Sequence, residues 1–221
     1  MRRTDWLRDT RRGGVEFDPD RICLCERDRI AVSHGCYFDT GAAERVARFF
    51  EKYLRLSSGR WAGDFFVLMD WQKYDVIAPL FGWMRPDGTR RYRIGYVEVP
   101  KKNGKSGLSS GIALYLLVGD GEPGAEVYSA AADKDQASIV FNESRNMVRA
   151  SPALSSRLTI VDSRKTIVYE KTNSVYRALS ADVPTKEGLK IHGLIFDELH
   201  AQAKRDLWDT LRYGGAARLQ P

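Results

Sequence analysis

Long apolar runs are missing from this chain of 221 residues. None approaches the roughly 20 apolar residues of a helical membrane span, so that class is excluded. The arginine-rich start (Arg2, Arg3, Arg8, Arg11, Arg12) has no apolar stretch after it, which argues against a secretory signal. Cysteine is scarce and odd in number, with only Cys23, Cys25 and Cys36, so no disulfide framework is expected. Internal repeats and low-complexity tracts are also lacking. These absences leave a soluble, cytoplasmic globular protein as the expectation.

What is present suits one large domain. The chain is 43% hydrophobic and 11% aromatic, ample for a single packed α/β core. Its net charge of +6 favours a polyanionic partner, though the basic residues are spread along the chain. The densest basic cluster is the N-terminal one, diluted by Asp5 and Asp9; a flexible arm and a DNA-contacting arm both fit it. With His34, the three cysteines read C-x-C and H-x-C. Such a set could ligate zinc, but the gaps are tighter than usual, and buried reduced thiols fit as well.

Periodicity orders the rest. Residues 42–56 read as an amphipathic helix, with Val46, Phe49, Phe50, Tyr53 and Leu54 on one face and Ser57-Ser58-Gly59 ending it. A second helix is expected from Asp70 through Ile77, stopping before Pro79. Arg93 to Val99 alternates as a strand, and 107–118 is apolar and helix-compatible. Glu126 to Ala131 reads as a buried strand. Asp133 is placed to cap a helix to about Arg149, with Ile139, Val140, Phe141, Met147 and Val148 on its apolar side, and Ser151-Pro152 breaks it. Residues 158–180 suggest one or two strands and a hairpin. Ile191 to Phe196 reads as a central parallel strand, and 201–211 as a helix. This order predicts an α/β fold, a mostly parallel wound sheet with helices on both faces.

Two motifs carry the chemistry. Lys101-Lys102-Asn103-Gly104-Lys105-Ser106, followed by Gly107, lies between the expected strand and helix, the context of a phosphate-binding loop. Amides at a helix N-terminus and the helix dipole favour phosphate there. Gly104 would let the backbone approach closely, Lys105 would reach the β and γ phosphates, and Ser106 would ligate Mg²⁺. The leading glycine of the usual pattern is missing, with Val99 in its place, and N-G is also a turn signal. The second motif, Leu194-Ile195-Phe196-Asp197-Glu198, ends a strand in two acids. There Asp197 would hold Mg²⁺ and Glu198 would polarise the attacking water. The separation of 92 positions from Lys105 to Asp197 leaves room for intervening βα units.

Four ordered blocks extend the pattern: Asp70-Trp71-Gln72-Lys73, Val99 to Ser106, Ala131 to Ala137 (A-A-D-K-D-Q-A), and Ile195 to Ala201 (I-F-D-E-L-H-A). Together with the tail from Trp208 to Pro221, they resemble the large terminase subunit of tailed bacteriophages from about residue 37 onward. The resemblance implies a P-loop NTPase fold of the RecA/ASCE-like kind over 37–221, preceded by an arm and leading strands over 1–36. It also implies ATP and Mg²⁺ as ligands, and a motor that drives double-stranded DNA through a portal protein into a preformed capsid. Trp71 and Gln72 would then bind the adenine; Lys102, Asn103, Gly104, Lys105, Ser106 and Gly107 would line the phosphates; Ser106 and Asp197 would hold the metal.

Glu198, Lys105 and Lys101 would be catalytic. Lys101 stands where that family has an arginine, keeping the charge but not the planar fork. A trans-acting arginine is also implied, with Arg177, Lys186 and Lys190 as candidates. Further implied partners are the small terminase subunit and sister copies in a ring, in the host cytoplasm. The coupling motif and nuclease domain of that family are not present before Pro221, so an isolated ATPase domain is expected. Two other readings remain: a helicase-type translocase, since Asp197 to His200 fits D-E-x-H, and a non-catalytic DNA- or portal-binding module with a decayed loop.

Overall fold

The structure is a computed structural model that describes residues 17, 21–22, 25–131, 134–179, 188–201, 205–215, 218 and 220, with backbone alone at 134–136 and 201. The N-terminal arginines, Cys23, Asp133 and Lys186 lie outside the described residues. The chain divides into two compact units, Met1–Lys52 with Phe66–Val99 and Gln220–Gln220, and Tyr53–Phe65 with Pro100–Leu219 and Pro221–Pro221.

The first unit is built on helices α1 (Glu26–Ser33) and α2 (Thr40–Tyr53) and a two-stranded antiparallel ribbon, β1 (Tyr37–Phe38) with β2 (Trp83–Met84). Asp39 caps α2 by accepting the Ala42 N–H at 2.9 Å, one of the amides a helix start leaves unpaired. The spacing of Val46, Phe49 and Phe50 then buries one face of α2, as expected, with Phe50 set edge-on to Phe66 at 5.3 Å.

Two expectations for this unit need correction. The helix from Asp70 does not stop before Pro79. Residues Gln72–Ile77 wind as a π-helix and run directly into α3 (Ala78–Gly82), which carries the proline in its first turn. The wider turn before Pro79 accommodates a ring and a missing N–H that a regular helix would reject. Residues 93–99 are no strand; they join no sheet ladder among the described residues, and Ile94 and Tyr96 are exposed. Alternation belongs to one segment, whereas a ladder also needs a partner edge.

The second unit is a five-stranded sheet with β3 (Glu126–Ala130), β4 (Thr159–Val161), β5 (Thr166–Tyr169), β6 (Ser174–Ala178) and β7 (Ile191–Phe196) in the order β4-β5-β6-β3-β7. β3 pairs in parallel with β6 and β7, and β5 is antiparallel to β4 and β6. Four strands therefore run one way and β5 alone runs back. The expected single hairpin in 158–180 is thus a three-strand meander, whose turns place Lys165 and Asn173 at positive φ. Among the described residues β7 ends the sheet order instead of lying in its centre. Both of its faces are covered, so it reads as a continuous apolar run whichever neighbours it has.

Helices cover both faces. α4 (Lys105–Val118) and α5 (Lys134–Ala150) pack together on one face, where the Ser110 hydroxyl donates to the Val140 carbonyl at 2.9 Å. On the same face a Cβ at Gly193 would meet the Leu116 side chain at 2.6 Å, so any larger residue there would have to displace it. α5 is followed, after Ser151, by the short α6 (Pro152–Ser155). Val140, Phe141, Met147 and Val148 are buried, but Ile139 is half exposed, one residue off the stripe. α7 (Asp206–Gly214) starts later than the helix expected from 201, after a 3₁₀ turn over Leu199–Ala201. It buries Leu207 and Leu211 against Tyr128, Ala130 and Ile191 on the opposite face.

Candidate functional site

Gly104 and Lys105 join the basic loop to α4. Lys102 and Gly104 both take left-handed backbone, at φ 68° and 78°, so the chain turns sharply before the helix begins at Lys105. Glycine adopts that conformation without strain, whereas Lys102 does so at some cost. Asn103 steadies the turn by donating from Nδ2 to the Pro100 carbonyl at 3.1 Å. Lys101, Lys102, Asn103 and Gly104 are exposed, and Lys105, Ser106 and Gly107 are half-buried. The first amides of α4 have no partner within the helix. An anion is the natural complement to such an end.

The acids arrive from β7. The Asp197 N–H donates to the Ala130 carbonyl at 2.9 Å, extending the β3–β7 ladder one residue beyond the strand. That fixes Asp197, nearly buried, at the carboxyl edge of the sheet. Its Oδ1 accepts the Glu198 N–H at 3.0 Å. Glu198 itself takes φ 50°, a left-handed conformation in a residue that rarely adopts it. Backbone held there costs on the order of 1–3 kcal/mol and is typical of functional turns.

Lys105 joins the two motifs. Its Nζ lies 3.0 Å from Asp197 Oδ1 and also donates a short hydrogen bond to Glu198 Oε1. Across 92 residues of sequence, one ammonium is thus shared by two carboxylates. Burial opposes the charge on Lys105, but its hydrogen bonds to Glu198 and Asp197 outweigh it and raise its pKa. The same Lys105 hydrogen bond holds the Glu198 carboxyl below its ordinary range, with smaller help from His200 and Lys101. At neutral pH, Lys105 is a cation and Glu198 an anion.

Trp71 and Gln72 belong to the first unit, at the head of its π-helix. Gln72 is 1% exposed, and its Oε1 accepts the Met69 N–H at 3.0 Å. Its Nε2 is buried with no partner among the described residues. The side chain therefore presents a free donor, while its acceptor is in use. Arg177 is exposed on β6. Cys25 and Cys36 are free thiols, and no group of three or more His, Cys, Asp or Glu among the described residues could hold a metal.

Two features carried no assignment in the sequence. His200 Nδ1 lies 3.4 Å from Glu198 Oε2, on the oxygen that Lys105 leaves free. The D-E-x-H spacing, with its 3₁₀ turn, is the signal that places it there. Arg218 donates to Glu122 at 2.7 Å and to the Lys190, Pro123 and Gly124 carbonyls, which ties it to the segments just before β3 and β7. Its partners are mostly carbonyls, which a sequence pattern cannot display.

Comparison with known proteins gives a consistent answer. Residues 70–221 match the family described as the terminase large subunit, ATPase domain. Over 156 residues, 70% of the chain, the sequence is 34% identical to the terminase large subunit of Enterobacteria phage HK97, covering 30% of that protein. The crystal structure of the HK97 bacteriophage large terminase superposes with a TM-score of 0.69 at 31% identity, over 81% of this chain and 36% of that one. The chain spans about a third of the length of the relatives it matches.

Proposed function

Since the chain belongs to the terminase large subunit ATPase family, we propose that it binds ATP with Mg²⁺ and hydrolyses it to drive double-stranded viral DNA into a preformed capsid. The observation that carries this reading is the single ammonium of Lys105, which bridges to both Asp197 and Glu198. A phosphate-binding end and a paired-acid end converge on one cation, as a nucleoside-triphosphatase requires.

The residues present suit the ligand. Asp197 and Ser106 offer carboxylate and hydroxyl oxygen, the donors a hard divalent cation takes, and the amides of the first turn of α4, unpaired within the helix, suit phosphate. Mg²⁺ bound there would neutralise charge developing on the phosphates. Lys105 would turn from the carboxylates to the β and γ phosphates, with Lys101, Lys102, Asn103, Gly104 and Gly107 lining them. Glu198, ionised at neutral pH, is suited to accept a proton from water as it attacks. Lys101 supplies positive charge near Glu198 but, as lysine, a point charge in place of a bidentate fork. The free Nε2 of Gln72, a buried donor without a partner, suits an acceptor nitrogen of adenine, with Trp71 alongside.

Double-stranded DNA, the portal protein and the small terminase subunit are the partners of this reading, with sister copies forming a ring in the host cytoplasm. DNA cleavage is assigned to no residue of this chain. Titration of a fluorescent ATP analogue tests the site. Binding should require Lys105 and fall at least tenfold in Lys105→Ala, whose folded state circular dichroism would verify. Equal affinity in the two proteins would refute the assignment.

A further inference from the structure

Within the second unit, residues 55–65 form a small projecting hairpin. Arg55 and Phe65 make an antiparallel bridge, the Leu56 N–H donates to the Asp64 carbonyl and the Gly63 N–H to the Leu56 carbonyl, each at 2.9 Å. At the hairpin's base, the Ser57 hydroxyl donates to Glu143 Oε2 at 2.6 Å, fastening it to α5. Its two aromatic rings face solvent, with Trp61 53% and Phe65 45% exposed. Each carries an arginine: the Arg55 guanidinium lies 3.3 Å from the Phe65 centroid, and that of Arg60 lies 4.0 Å from the Trp61 centroid.

Neither guanidinium forms an ion pair with a carboxylate among the described residues; Arg55 gives one hydrogen bond, to the Gly63 carbonyl at 3.3 Å. Exposed arginines elsewhere in the chain do find acids, as Arg149 does with Asp162 and Arg205 with Asp209. Here two planar cations are held by rings instead, Arg60 exposed and Arg55 half-buried. Stacking fixes the plane of a guanidinium without using its donors, which leaves the fork ready for phosphate.

We propose that this hairpin is a contact for the phosphate backbone of duplex DNA, with Arg55 and Arg60 as the phosphate ligands and Phe65 and Trp61 as their supports. The duplex as occupant rests on the packaging function proposed above. Charge is the reason for choosing it: two uncompensated guanidinia complement a polyanion of regular spacing. One ring face is also already occupied by each arginine, which disfavours base stacking of a single strand.

The test is fluorescence anisotropy of a labelled duplex of ~30 base pairs across KCl concentrations, with the double variant Arg55→Gln/Arg60→Gln. Two lost phosphate contacts should make the salt slope shallower by about 1.8 and weaken binding about tenfold or more at 0.1 M salt. Trp61→Ala keeps the charge, so its slope should hold while affinity falls about two- to tenfold from lost preorganisation. DNA-free ATP hydrolysis should be unchanged in both variants. Unchanged duplex affinity and slope in the folded double variant would overturn the proposal. So would a loss confined to single-stranded DNA or to polyglutamate, or an unaltered chain that binds no duplex at low salt. A chain that hydrolyses no ATP would count against the packaging function, whereas the binding arm decides the hairpin separately.

Discussion

Replacing Glu198 by glutamine separates two effects that the structure places on one carboxylate. In the nucleotide-free site Glu198 Oε1 accepts from the Lys105 ammonium, which ATP would claim for its phosphates. Both side chains are about a third exposed, at 30% and 32%, so the pair is partly screened and contributes about 0.2–1 kcal/mol. Glu198→Gln weakens that competing contact without changing shape. ATP should therefore bind about 1.4- to 5-fold tighter, at 1.4 kcal/mol per factor of ten. The amide cannot take a proton from water, so turnover should fall roughly 10²- to 10⁴-fold. Glutamine inherits the same left-handed backbone at position 198, so the fold should be unaffected. Equilibrium titration of ATP and single-turnover hydrolysis measure the two effects. Turnover within threefold of the unaltered chain, or clearly weaker ATP binding, would refute the reasoning.

Asp28, nearly buried in the first unit, makes a further test. Burial pushes its pKa up, but hydrogen bonds from Tyr92, Arg91 and Cys25 win and hold it below 3.8. A depressed carboxyl stabilises above its unfolded pKa and loses that contribution as pH falls through the folded one. Asp28→Asn should therefore cost roughly 1–3 kcal/mol at pH 7, and the gap should begin to narrow as pH falls below about 4; urea unfolding across pH measures it, and a gap independent of pH would contradict the sign. Gly193→Ala should lower stability by about 1–3 kcal/mol by pushing Leu116 away from β7. Thermal unfolding reads this, and an unchanged midpoint would show that α4 can move aside freely.

The meeting of the two motifs was the most legible part of the sequence. Lys105, Asp197 and Glu198 are local signals, each set at the junction of a loop with a strand or helix, and the fold joins them through one ammonium. α2, α4, α5 and β3 were legible for a similar reason: burial of one face, or of all sides, leaves its period in the chain. What escaped depends on partners distant in sequence. Residues 93–99 alternate but find no ladder among the described residues, and β7 is apolar because helices cover both its faces, not because strands flank it. The π-helix before Pro79 follows from hydrogen-bond register, which residue type alone does not display. The stacking of Arg55 on Phe65 needs the turn of the hairpin, since the two residues are ten apart.

Single-turnover hydrolysis of γ-labelled ATP, at protein concentrations high enough for self-association, is the most direct measurement. It should be run with Mg²⁺, with excess chelator, and with Lys105→Ala. Hydrolysis that requires Mg²⁺ and is lost in Lys105→Ala is the expected result. Hydrolysis that survives Lys105→Ala or the chelator, or ATP that binds and is never cleaved even with duplex DNA present, would contradict a nucleotide-hydrolysing site built on Lys105, Asp197 and Glu198.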